Sequence, residues 1–264
     1  MSFTKLYFEF DNRKSDEFPI YIVRINSGMF STEFGGSKQM KYDKIAYNDD
    51  IYYYSTELDN LKFSIVVSPL DGLWTEDMKF ELFRWLGSRQ PKAFRTTDFM
   101  GKLCYCICTN ALILTTTGTQ QGYMELEFEA TTPYWLTDPI IVEDDLTDKD
   151  IPYTFILKNN SNIRDPKTNE FYYYPIMEFD LVGDSTSITL TNLSNGGRVT
   201  SLTSLSTGEY IKIDNKLKYI DSSTGNYRLN NFNKNWFMLN YGVNYIKISE
   251  KCKFRFTMQF PIYI

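Results

Sequence analysis

The chain contains no histidine. That absence excludes a Ser-His-Asp triad, a Cys-His dyad, an imidazole metal site and an H-E-x-x-H helix. Long apolar runs are also missing: Ile20–Val23 and Ala111–Leu114 are far too short to span a bilayer. No G-x-x-x-x-G-K-[ST] loop, no strand-borne G-x-G-x-x-G and no G-x-S-x-G elbow occurs. A basic excess is lacking too. Thirty-three acidic residues stand against 28 basic ones, a formal net charge of −5, which argues against specific nucleic-acid binding. The opening Met1-Ser2-Phe3-Thr4-Lys5 lacks a basic segment followed by an apolar core, so the expectation is a chain made and folded in a cytosol.

What is present is aromatic and β-like. Twenty Tyr and 20 Phe, with apolar/polar alternation through most of the chain, predict a mainly β protein. In the first half, strands are expected at Leu6–Phe10, Pro19–Asn26, Tyr52–Ser55, Leu61–Ser68, Lys102–Thr117 and Gly122–Ala130. Gly28–Met40 is irregular, and reads as a loop or a long hairpin arm. One helix interrupts the pattern over about 75–86. Thr75 is its cap and Glu76 and Asp77 favour its dipole. Met78, Leu82, Trp85 and Leu86 share one face, and Gly87 and Pro91 end it. The run Thr132–Pro139 closes the first unit, and the acidic stretch Glu143–Asp150 reads as a linker. These features place one domain at 1–138 and a second at 139–264. Strands in the second are expected at Tyr153–Lys158, Phe171–Val182, Ser187–Leu193, Gly197–Leu202, Glu209–Ile213, Lys216–Ile220, Trp236–Leu239, Val243–Ser249 and Cys252–Ile264. Asp214-Asn215 is expected to form a tight hairpin turn. This spacing predicts a β-sandwich.

Little in this pattern can perform chemistry. Cys104, Cys106 and Cys108 alternate along a strand, so they share a face with thiols about 7 Å apart. That spacing is poor for chelation and suits small buried hydrophobes, with disulfides disfavoured in a reducing compartment. Glu125, Glu127 and Glu129 form the solvated face of a half-buried strand. The carboxylates Asp144, Asp145, Asp148 and Asp150 lie in the expected linker, without the rigid scaffold a general acid needs. No catalytic residue, cofactor or metal ligand is assigned. The runs Tyr52-Tyr53-Tyr54 and Tyr172-Tyr173-Tyr174 are the more suggestive features. Half of each is expected in the core, because alternate strand residues face opposite ways. The remainder suit a protein interface or, as the alternative, a glycan site.

The order of several structural motifs resembles the phage distal tail proteins, hub subunits at the tip of long-tailed phage tails. Phe83-Arg84-Trp85-Leu86 is followed by Pro91, the strand from Lys102, Gly118, Gly122, Leu126-Glu127-Phe128 and the corner Pro133-Tyr134-Trp135. Further on, Tyr174-Pro175-Ile176, Gly208–Asp214 and Gly242-Val243-Asn244 are similar to the second domain of that family. The resemblance implies an N-terminal tube-like β-sandwich or split barrel with one α-helix, followed by a galectin-like β-sandwich. It also implies a virion protein at the distal end of the tail, assembled in the host cytoplasm. Its role would be that of a homohexameric ring adaptor without enzymatic activity, passing DNA through its lumen. The implied partners are further copies of itself, the tail tube protein, the tape-measure protein, the central fibre or hub protein and receptor-binding proteins, with no membrane. An arm at about 28–50 would reach a neighbouring subunit. The candidate structural and interface residues are Trp85, Leu86, Pro133, Tyr134, Trp135, Phe30, Phe34, Tyr52, Tyr54, Tyr172 and Tyr174.

Overall fold

A computed structural model describes residues 6–23, 36–97, 100–110, 113–119, 121–165 and 170–263. The chain divides into two compact units, residues 1–136 with 263–264, and residues 137–262. Both are built from antiparallel β-structure.

The first unit contains β1 (Phe8–Phe10), β2 (Arg13–Lys14), β3 (Ile20–Val23), β4 (Lys38–Lys44), β5 (Ile51–Leu58), β6 (Lys62–Pro69), α1 (Glu76–Leu86), β7 (Lys92–Thr96), β8 (Lys102–Cys108), β9 (Ile113–Thr116), β10 (Gly122–Ala130) and β11 (Trp135–Thr137). A curled half-barrel sheet runs in the order β2-β1-β7-β8-β10-β6-β3, with β9 also paired to β10. Met124, Leu126, Phe128 and Ala130 turn the inner side of β10 into the core, and the intervening glutamates face outward.

The helix forms where its caps and apolar stripe place it. The Thr75 side chain accepts a hydrogen bond from Met78 N (3.3 Å), and Leu82, Trp85 and Leu86 are buried. Trp85 stacks on Phe18 (centroids 4.5 Å apart) and Phe8 (5.3 Å), and its Nε1 donates to Phe10 O (2.8 Å). Helix and sheet therefore share one aromatic core. Gly87 has φ −76°, so it does not end the helix by a left-handed turn. A Cβ there would lie 2.6 Å from Phe83 O, and that close approach explains the glycine. Cys104 and Cys106 are buried in the same core and Cys108 packs against it; all three are free thiols. Burial pushes the Cys108 thiol up to about 11.

The second unit is a two-layer sandwich. Its strands are β12 (Ile140–Asp145), β13 (Tyr153–Asn159), β14 (Ile176–Leu181), β15 (Ile188–Asn192), β16 (Arg198–Leu202), β17 (Tyr210–Asp214), β18 (Tyr219–Ser222), β19 (Gly242–Ile248) and β20 (Cys252–Met258). One layer orders β12-β20-β14-β17-β18 and the other β13-β19-β15-β16. Met177, Phe179, Ile211, Ile213 and Phe256 from the first layer join Leu157, Leu190, Ile246 and Ile248 from the second in one core.

Four local expectations are corrected here. Glu143–Asp145 is not linker but the end of β12, where Glu143 faces Arg255 and Asp145 faces Lys253 across the ladder. Cross-strand ion pairs let an acidic run sit in a strand. The strand expected from Phe171 begins only at Ile176; within Tyr172–Tyr174, Tyr173 makes an isolated bridge to Leu239. Trp236–Leu239 forms no ladder strand either. Buried amides replace its ladder partners: Asn215 Oδ1 accepts from Phe237 N (2.8 Å) and Asn192 Nδ2 donates to Met238 O (3.0 Å). The turn at Asp214-Asn215 extends to Lys218, with Asp214 Oδ1 accepting from Lys216 N (3.0 Å) and Leu217 N (2.8 Å).

One buried ion pair closes the sandwich near β17. The Arg228 Nε and Nη2 donate to Glu209 Oε1 (2.7 Å) and Oε2 (2.5 Å), and Ser206 N also donates to Oε2 (2.7 Å). Burial opposes the charged form of Glu209. The donations from Arg228, Ser222 and Ser206 overcome it and hold the carboxyl at about 2.

Candidate assembly interface

The strands β4 and β5 form a two-stranded ribbon that belongs to none of the three larger sheets. Every residue of β4 is exposed, and so is every residue of β5 except the last. Register puts Tyr42 opposite Tyr53 and Lys44 opposite Ile51, after an irregularity at Lys41/Tyr42. One face thus carries Met40, Tyr42, Ile51 and Tyr53, with Thr56 beside Tyr53, and the other carries Tyr52 and Tyr54 beside Asp43. Tyr52, Tyr53 and Tyr54 are 51%, 57% and 63% exposed. The expectation that half of this triplet is core is therefore corrected. A strand has a buried face only if a second layer covers it, and nothing in the described residues covers this ribbon. An isolated two-stranded ribbon is marginal in water, and aromatic residues on both faces make it a candidate surface for a partner.

The base of the ribbon is held firmly. Gly36 N donates to Pro133 O (2.7 Å) and Asp59 N donates to Ser37 O (2.9 Å). The Asp59 carboxylate accepts from Ser37 Oγ (2.6 Å) and Gln39 Nε2 (2.9 Å). These hydrogen bonds hold its carboxyl below the ordinary range. A Cβ on Gly36 would lie 1.8 Å from Asp59 O, so this crossing admits only glycine. Gly36→Ala is expected to free the ribbon base. Faster amide exchange at Gly36 and Asp59, with little change deep in the half-barrel, would register it. Unchanged protection would show that the crossing tolerates a side chain.

The other sequence-assigned residues fall into different roles. Trp85 and Leu86 are buried and carry the core. Trp135 is buried and stacks on Phe63 (5.8 Å), while Pro133 and Tyr134 are half-buried at the ribbon base and the adjoining corner. Tyr172 and Tyr174 are half-buried, and the Tyr173 hydroxyl accepts from Gln259 N (2.8 Å). Phe30 and Phe34 lie outside the described residues, as does the 28–35 part of the expected arm. The ribbon residues Met40, Tyr42 and Ile51 were not singled out by sequence, and Tyr53 was noted only as the middle of its tyrosine run. Their signal is the lack of alternation in Ile51-Tyr52-Tyr53-Tyr54, which denies the strand a polar face.

A second surface lies on the half-barrel. Glu125, Glu127 and Glu129 form one row along the outer side of β10, and among the described residues Glu129 alone is paired, with Lys62 Nζ at 3.4 Å. The row is a line of negative charge on a rigid central strand.

Comparison with known proteins gives these surfaces a setting. A model described as the phage tail protein N-terminal domain matches residues 3–132, and one described as the phage tail C-terminal domain matches residues 147–258. The chain belongs to this family of phage tail proteins. No curated protein matches the sequence. Among solved structures, the phage tail protein is similar to the Dit protein of phage SPP1, titled a paradigm of hub adsorption apparatus in phages infecting Gram-positive bacteria. The TM-score is 0.69 at 12% identity, covering 97% of this chain and 100% of that one. It also matches a chain of the phage P2 baseplate in its activated conformation with Ca, at TM-score 0.48 and 9% identity, covering 97% and 98%. The SPP1 likeness supports the expected fold, a half-barrel with one helix followed by a galectin-like sandwich.

Proposed function

We propose that this phage tail protein is a structural adaptor at the distal end of the tail. Six copies close into a ring that joins the tail tube to the tail tip, with the first domain forming the ring. The observation that carries this reading is the ribbon: firmly anchored at its base and aromatic on both faces. Docked on a different patch of the next subunit, it makes a heterologous contact, the kind that generates closed rings. In the same reading the Glu125-Glu127-Glu129 row faces the lumen, where negative charge repels the DNA backbone and keeps the passing genome from sticking. The ring's partners are the tail tube, tape-measure and central fibre proteins, with receptor-binding proteins held further out. The role is mechanical and requires no catalytic group.

Native mass by light scattering tests it. The expected value is about six times the 31.0 kDa chain mass, or a dimer of such rings. A monomer that stays monomeric even with the tail tube and fibre proteins added would overturn the ring.

A further inference from the structure

The two outer faces of the C-terminal sandwich have opposite characters. On the β12-β20-β14-β17-β18 layer, register aligns Glu143, Arg255, Glu178, Lys212 and Asp221 in one row across all five strands. The charges alternate along that row, with Arg255 to Glu143 at 2.7 Å and Lys212 to Glu178 at 3.7 Å. This face satisfies itself and suits water.

The β13-β19-β15-β16 layer does the reverse. Ile156 faces Tyr245 across β13 and β19, and Leu193 N, just past β15, donates to Tyr245 O (2.9 Å). With Val243 they form a contiguous outward cluster, 55%, 49%, 50% and 48% exposed for Ile156, Tyr245, Leu193 and Val243. Lys158 lies opposite Val243, and Lys247 is the next outward residue along β19. No carboxylate projects from these four strands on that side; their other outward positions are Thr154, Thr189, Thr191, Val199 and Ser201. In a chain with an acidic excess, an apolar patch whose charged neighbours on these strands are all lysines is not an ordinary solvated face.

We propose that this face is a docking surface for a second protein of the phage particle, one that presents an apolar patch flanked by carboxylates. Charge complementarity selects that partner: Lys158 and Lys247 border the patch with unopposed positive charge, which steers an acidic surface onto it and repels a basic one. The proposal is independent of ring closure, because native mass reads the ring and the following experiment reads this face.

The test places the photo-cross-linker p-benzoylphenylalanine at Ile156 or Tyr245 in assembled phage particles, with Tyr219 on the opposite layer as control. The expected result is a cross-link from both test positions to another particle protein, at a peptide rich in Asp and Glu, and none from Tyr219. The charge reversal Lys158→Glu with Lys247→Glu should cut the cross-linked product roughly tenfold or more while leaving the melting temperature of the purified chain unchanged. No cross-link, capture of a second copy, capture of DNA or lipid, or insensitivity to charge reversal would each overturn the proposal.

Discussion

Replacing Tyr52 and Tyr54 together by serine is expected to convert the proposed ring to monomers at micromolar concentration. Both side chains lie on the same ribbon face, beside Asp43, and both are exposed rather than packed into a core. An aromatic anchor at a buried contact is typically worth about 2 kcal/mol or more. Two anchors per interface then amount to about 4 kcal/mol, roughly a thousandfold in association constant. The stability of the monomer should barely move, by about 0.5 kcal/mol at most, because surface positions contribute little. Light scattering and thermal melting separate the two effects. Tyr219→Ser, an exposed tyrosine on the charge-laddered face, is the matched control and should leave the mass unchanged. Rings of unaltered mass in the double variant would show that the ribbon is not the joint.

The second large effect concerns folding. Arg228→Met leaves the Glu209 carboxylate buried without its cation, with Ser206 N, Ser222 Oγ and Thr224 Oγ1 as remaining donors. Breaking a buried pair from one side costs about 3–5 kcal/mol. For a unit of this size that lowers the melting temperature by roughly 10–20 °C. The pH dependence has a definite sign. The Glu209 carboxyl falls from its ordinary 4.5 to about 2 in the fold. A depressed carboxyl contributes stability that is full above the unfolded value and is lost as pH falls through the folded one, on the order of 3 kcal/mol. The wild-type C-terminal unit should therefore lose stability between about pH 5 and pH 2. Glu209→Gln should start less stable and show a flatter acid limb over that window. Parallel acid limbs in the two proteins would mean that this pair does not set the acid response.

How much was legible from residues alone depended on whether the signal was local. The helix was readable because its cap at Thr75, its acidic first turn and its stripe of Leu82, Trp85 and Leu86 lie within about twelve positions. The burial of Cys104 and Cys106 followed from strand alternation. The identity of β12 did not, because Glu143 and Asp145 are made acceptable by Arg255 and Lys253, more than a hundred residues away. Trp236–Leu239 has a strand-like sequence, yet its backbone is satisfied by Asn215 and Asn192. Long-range partners of this kind leave no local trace.

The candidate site shows the same division. The tyrosine triplet was conspicuous, but alternation placed half of it in a core. Only the pairing of β5 with β4 alone, outside the three larger sheets, leaves all three rings in water. By itself the sequence determined the mainly β character, the single helix, the burial of the thiols and the absence of any imidazole chemistry. Each of these depends on composition or on contacts within one or two turns of chain. The tertiary structure decided which strand faces are covered, since coverage depends on what the fold lays over each face. That choice left the β4–β5 ribbon and the Ile156–Tyr245 face bare and made the Glu143–Arg255 face self-sufficient.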